Sequence, residues 1–184
     1  PDIKNIMPIY LCATRFNSET WNENNRFKNS KNIKGCIYGS PKKISNTITN
    51  DSYIIVIEML NKPLPKKISE RSLPGSGGSV MGIGLIRNCL FHKHLKIYEV
   101  DNYNRYLYKS KYRIDRVNMN ETEEAAMHLL DTICFKGADH IKRGKGISMV
   151  PINKIKNVEI REINITEFLM NMFTTRYTEI NPLS

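Results

Sequence analysis

At 184 residues and 21.3 kDa, the chain suits one domain of ordinary size, able to bury roughly two-thirds of its unfolded surface without metals or disulfides. A composition 40% hydrophobic and 25% charged excludes wholesale disorder, and no run approaches the roughly 18–20 apolar residues of a membrane span. Twenty-eight Lys and Arg against eighteen Asp and Glu leave a net charge of +10, which favours a nucleic-acid, anionic-surface or acidic-protein partner.

The opening PDIKNIMPIYLCATR has a very short apolar run and no small-residue cleavage site, so it does not read as a signal peptide. Residues 6–14 read as a strand interrupted by Pro8, and Ser18 as the cap of a short helix carrying Trp21. Cys36 to Gly39 suggest a short strand before a turn at Pro41. The strongest strand is SYIIVIEML, residues 52–60, whose β-branched and apolar run predicts burial on both faces. An insertion or long loop near 61–80 follows, then VMGIGLI, a strand whose Gly82 and Gly84 predict close backbone approach. LKIYEV and YLYKSKYRI read as further strands, separated by a DNYN turn. The period then changes. Asn120 and Glu123 form a capping box for ETEEAAMHLLDTICF, with Met127, Leu130 and Cys134 on one face and Gly137 as the stop. ISMVPI and KNVEIREI offer later strands. Asn164 and Glu167 cap a C-terminal helix near 165–176, with Leu169, Met172 and Phe173 toward a core. The whole reads as a single mixed α/β, β-rich domain over residues 1–184.

Cys12, Cys36, Cys89 and Cys134 lack the close spacing of a zinc or redox pair and sit among apolar or small neighbours. They read as buried free thiols of an intracellular reducing compartment, nucleus or cytoplasm. His92 and His94 read as part of a basic surface, and no metal or cofactor is expected. SLPGSGGSVMGIG does not match a phosphate-binding loop or a dinucleotide fingerprint.

Two basic series carry the functional expectation. Lys142, Arg143 and Lys145 are compressed into four positions beside Gly144 and Gly146, and Lys109, Lys111 and Arg113 would share one face of an extended strand. Both suit phosphate contacts. Tyr103, Tyr106, Tyr108 and Tyr112 interleave the second series as core residues or base-stacking platforms. Trp21 with Asn22 and Asn25 offers a flat apolar face beside edge-directed amides, which suits either a nucleobase pocket or a packing anchor. Asp51 or Glu58 could belong to an acid–base pair, but no partner is assigned.

The segments PIYLCATRFNSETWNENNRF, IIVIEML with VMGIGLIRN, and LKIYEVDNYNRYLYKSKYRI together resemble the layout of the PUA-like superfamily, especially its EVE and YTH branches. That resemblance implies a curved β-barrel with peripheral helices, RNA or modified-base recognition, and Trp21 with Asn22–Asn25 as a pocket wall. The expected function is noncatalytic binding of RNA or other single-stranded nucleic acid. The alternatives are a protein-interaction module for an acidic partner and a nucleic-acid-processing enzyme. Membrane insertion is not expected.

Overall fold

The central strand of the computed structural model is the one most strongly marked in the sequence. Residues 7–61, 77–136, 140–141, 144–156 and 164–180 are described. All eight residues of β3 (Tyr53–Leu60) are buried. β3 lies between β1 (Ile9–Phe16), with which it runs parallel, and the antiparallel β4 (Ser79–Arg87). The strands flanking residues 62–76 therefore pair with each other. Two antiparallel strands complete this sheet, β6 (Tyr112–Asp115) on β4 and β7 (Ser148–Met149) on β1, in the order β6-β4-β3-β1-β7. A separate two-stranded ribbon joins β2 (Cys36–Ser40) to β5 (Tyr106–Ser110).

The alternation of β3 sorts two cores. Ile55, Ile57 and Met59 face α2 (Glu121–Phe135) and α4 (Ile165–Arg176), packing with Met127, Leu130, Cys134, Leu169, Met172 and Phe173. Ile54, Val56 and Leu60 face the ribbon and α1 (Ser18–Ser30), packing with Ile37, Tyr38 and Tyr108. The short α3 (Ile152–Lys156) precedes α4. These are open sheets, with β6 and β7 as the outer strands of the larger one. The curved, closed β-barrel and the PUA-like, EVE and YTH relationship expected from the sequence layout are therefore incorrect. The parallel β1–β3 pair and the segregated ribbon distribute the strands between two open layers.

Several local expectations also change. The cap of α1 is Asn17 rather than Ser18: Asn17 Oδ1 accepts from the Thr20 amide at 2.8 Å, and Thr20 Oγ1 accepts from the Asn17 amide at 3.1 Å. LKIYEV forms no strand. Asn104 Oδ1 accepts from the Ile97 and Tyr98 amides, both at 2.9 Å, and Asn104 Nδ2 donates to the Tyr98 carbonyl at 2.7 Å. One side chain thus serves backbone groups that a neighbouring strand would otherwise occupy. YLYKSKYRI breaks at Lys111 into β5 and β6, which belong to different sheets. Of ISMVPI only Ser148–Met149 is strand, and Ile152 begins α3. Gly137 and residues 157–163 of KNVEIREI lie outside the described residues. The Asn120–Glu123 capping box forms as expected, and Asn164 Oδ1 accepts from the Glu167 amide at 3.0 Å.

Polar side chains join the layers. Glu58, 2% exposed, accepts from Tyr38 Oη at 2.8 Å and from the Arg113 guanidinium at 2.7 and 2.9 Å. Gly82 and Gly84 clear the space: a Cβ on Gly84 would collide with the Tyr38 hydroxyl, and one on Gly82 would crowd Glu58 and Arg113. Nearby Lys28 is buried, and both burial and Arg113 push its ammonium below the usual lysine range. On the opposite face, β4 pairs with β6 only from Gly82 onward. At Val80 the amide donates to Asp131 Oδ1 at 2.7 Å, and the carbonyl accepts from Arg116 Nη1 at 2.9 Å. Arg116 also grips Glu124 and Asp131 at 2.7 and 2.9 Å, clamping α2 to the sheet. Tyr177, just after α4, donates to the Arg113 carbonyl at 2.9 Å and accepts from its amide at 3.5 Å.

Candidate nucleic-acid interface

A cleft of about 320 Å³ opens where the C-terminal end of β1 meets the first turn of α1. Thr14, Arg15 and Phe16 line its inner end, followed by Asn17 and Thr20. Parallel strands commonly present ligand sites at this end, because the chain turns there into loops and helix N-termini. Here the turn is closed by the Asn17–Thr20 capping box, which already occupies those two side chains.

Gly39 of β2 forms one wall. A Cβ there would run into the Tyr103 carbonyl and the Tyr98 ring, so glycine lets the 98–103 segment lie directly over the strand. Tyr98 is buried, and its hydroxyl accepts from Asn24 Nδ2 at 2.9 Å; the same amide donates to the Ile37 carbonyl at 2.8 Å. Burial pushes the Tyr98 phenol up to about 12, so it remains neutral at physiological pH. At the rim, Val100 is 53% and Tyr103 39% exposed. Gly144, Lys145 and Gly146 form the opposite wall. Gly146 has φ +75°, and a Cβ there would strike Ser40, so this loop can close against β2 only with glycine at that position.

The two cations that line the cleft among the described residues differ. Arg15 Nη1 donates to Asn61 Oδ1 at 2.8 Å, Nη2 donates to the Ile141 carbonyl at 3.1 Å, and the guanidinium lies 5.6 Å from the Phe135 ring centroid. It is tethered. Lys145 is exposed and makes no ion pair among the described residues. Among the described residues, the lining contains no carboxylate, imidazole or thiol. An exposed ammonium, an exposed phenol and an apolar rim suit an anion bearing a flat body.

The expected site residues scatter around this cleft. Trp21 is half-buried and meets Phe16 edge-on at 5.1 Å, so it supports the lining without belonging to it. Asn22 is exposed and Asn25 half-buried on α1, and neither lines the cleft. Lys145 does; Lys142 and Arg143 lie outside the described residues. Lys109, Lys111 and Arg113 have separate surroundings: Lys109 is 5.2 Å from the Phe91 ring, Lys111 pairs with Glu179 at 2.8 Å, and Arg113 is sealed against Glu58. The break between β5 and β6 prevents these three from forming one cationic strand face. Among the tyrosines, Tyr108 is core, Tyr106 and Tyr112 are half-buried, and Tyr103 is exposed.

Sequence reasoning did not assemble Asn17, Thr20, Gly39 and Asn102 with Lys145. The isolated glycine in CIYGS was an available signal, since glycine inside a strand often marks close backbone approach. Glu58 is enclosed by Tyr38 and Arg113, which gives it a structural role; Asp51 is exposed and 3.8 Å from Arg87. Among the described residues, no group of three or more His, Cys, Asp or Glu could hold a metal, and no helix is long and apolar enough to cross a membrane. No family model, curated protein or solved structure matches the chain.

Proposed function

We propose that this protein binds nucleic acid and receives one nucleotide in the cleft between Tyr103 and Lys145. The observation that carries this reading is the segregation of charge. Residues 17–46 and 88–111, which build α1 and the ribbon side, contain eleven Lys and Arg against four Asp and Glu. On the other face, Glu123, Glu124 and Asp131 of α2 are buried and paired with Arg176 and Arg116, so α2 adds little net charge of either sign. Seven of the ten net positive charges thus fall in the segments that carry α1 and the ribbon, from which Asn17, Thr20, Gly39 and Tyr103 of the cleft also come. Tyr103 supplies a face for a base, Asn102 an amide for its edge, and Lys145 a counterion for phosphate. The free cysteines fit the reducing interior expected for such a protein.

Fluorescence-anisotropy titrations with labelled single-stranded RNA and DNA, at several salt concentrations, test the reading. Affinity should fall steeply with salt. Lys145→Ala should weaken binding across sequences, while Tyr103→Ala should cost about 1–3 kcal/mol, the usual scale of a base–aromatic stack. Unchanged affinity in both folded variants would overturn the cleft assignment, and absence of binding to either nucleic acid would overturn the function.

A further inference from the structure

The cleft adjoins a second groove, and two further grooves adjoin each other. Asn102 lines both the cleft and a second groove, which also contains His94, Lys96 and Arg105. Arg105 lies 5.4 Å from the Tyr106 ring, while Lys43 approaches that ring to 5.8 Å from the next groove along. That third groove, of about 290 Å³, carries Lys43, His92 and the amides Asn46, Asn50 and Asn88. It shares Cys89 and Leu90 with a fourth groove, of about 400 Å³, where Arg87 and Lys109 accompany Phe91, Tyr53 and Tyr112.

Cations lie over aromatic rings in these grooves and between them: Arg105 and Lys43 at Tyr106, Lys109 at Phe91 and Arg87 at Tyr53, the last at 4.3 Å. Acidic groups are sparse. Asp101 lines the second groove, Glu99 pairs with Lys96 at 3.3 Å, and Asp51 approaches Arg87 to 3.8 Å. Among the described residues, the third and fourth linings contain no carboxylate.

On this basis, and resting on the nucleic-acid reading above, we infer that the grooves form a continuous track for several nucleotides of a single strand along the outside of the β2–β5 ribbon. A single strand fits because its phosphates repeat and its unstacked bases can turn toward rings such as Tyr106 and Phe91. A duplex keeps its bases stacked and would use only the charges. An acidic polypeptide would also satisfy the cations, but it has no recurring flat groups for the rings.

The test compares the full chain with a Lys43→Ala/Arg105→Ala/Lys109→Ala variant, whose substitutions leave the cleft lining intact. Labelled homopolymers from about two to about twelve nucleotides cover common single-strand site sizes. Affinity should rise with length in the wild type and then level off. The triple variant should lose that rise, bind the longest strand at least about tenfold more weakly at low salt, and show a salt slope smaller by about two. That last value follows from about 0.7 per phosphate contact on a single strand. Its affinity for the shortest oligonucleotide should remain within about twofold of wild type.

Short-oligonucleotide binding without length dependence would overturn the track while leaving the cleft reading intact. Equal affinity for a duplex of the same length, or equally effective competition by polyglutamate, would overturn a single-strand track. No binding to any oligonucleotide would overturn the nucleic-acid function, and the track with it.

Discussion

Replacing Arg116 by methionine should be among the most damaging single changes in the chain. The Arg116 side chain is 1% exposed and lies between two buried carboxylates. Its Nε and Nη2 donate to Glu124 at 3.0 and 2.7 Å, while Nη1 donates to Asp131 at 2.9 Å and to the Val80 carbonyl at 2.9 Å. Methionine fills similar space but leaves both carboxylates and the carbonyl without this donor. Breaking a buried ion pair from one side costs about 3–5 kcal/mol, a large share of the about 5–15 kcal/mol available to a typical domain. Urea unfolding monitored by circular dichroism at pH 7 would measure the loss.

The sign with pH follows from Asp131. Burial pushes its carboxyl above the ordinary aspartate range despite Arg116 beside it. Its folded form therefore holds a proton over a window in which the unfolded chain has released one, and its contribution to stability falls as pH rises through that window. Removing Arg116 removes the charge favouring ionisation, so the Arg116→Met penalty should be larger at pH 7 than at pH 5. Arg116→Met combined with Glu124→Gln and Asp131→Asn should recover much of the loss, because neutral amides replace both carboxylates. A penalty under about 1 kcal/mol would refute the clamp, given the scale for breaking a buried pair. An equal penalty at both pH values would refute its electrostatic basis.

Burial pushes the Cys12, Cys36 and Cys134 thiols up to about 12, whereas Cys89 is exposed. Thiol-reagent titration should therefore find one fast thiol in the folded protein and four after denaturation; a second fast thiol would contradict the described packing. Gly84→Ala should lower the melting temperature by roughly 5–10 °C, from overpacking and loss of the Tyr38–Glu58 bond. Gly77→Ala, whose Cβ would meet nothing within 4 Å, should leave it unchanged in the same thermal scan. The Arg176 guanidinium holds the Glu123 carboxyl below its usual range, an effect opposed in part by burial. That depression stabilises the fold above the unfolded glutamate value and fades as pH falls through the lowered folded value. Arg176→Met should thus cost about 1–2 kcal/mol at pH 7 and progressively less toward pH 3 in urea unfolding.

The elements legible in the sequence were those with local causes. An unbroken β-branched run specified β3, and a Glu three residues after Asn specified the start of α2. Gly82 and Gly84 advertised close approach, although the Tyr38 ring filling that space could not be named from the chain alone. Readings failed where a distant group supplied the missing bonds. Asn104 holds the LKIYEV backbone without a strand partner, and a break at Lys111 sends two halves of an apparently continuous strand to different sheets. Such tertiary contacts override strand propensity. The cleft was only partly legible for the same reason. Lys145 stood out by charge, but Gly39 and Asn102 acquire their roles only when residues far apart in sequence meet.

The phenol of Tyr177 bonds both the carbonyl and the amide of Arg113 on outer strand β6. A second copy of the chain would need those groups to extend the sheet by pairing strand to strand. Tyr177 therefore acts as a stopper against intermolecular growth, held in place by α4 and by its ring contacts with Tyr112 and Phe173. Losing only that phenol hydroxyl, as in Tyr177→Phe, would free both Arg113 groups while keeping the ring packed, and would turn this edge into an adhesive flank.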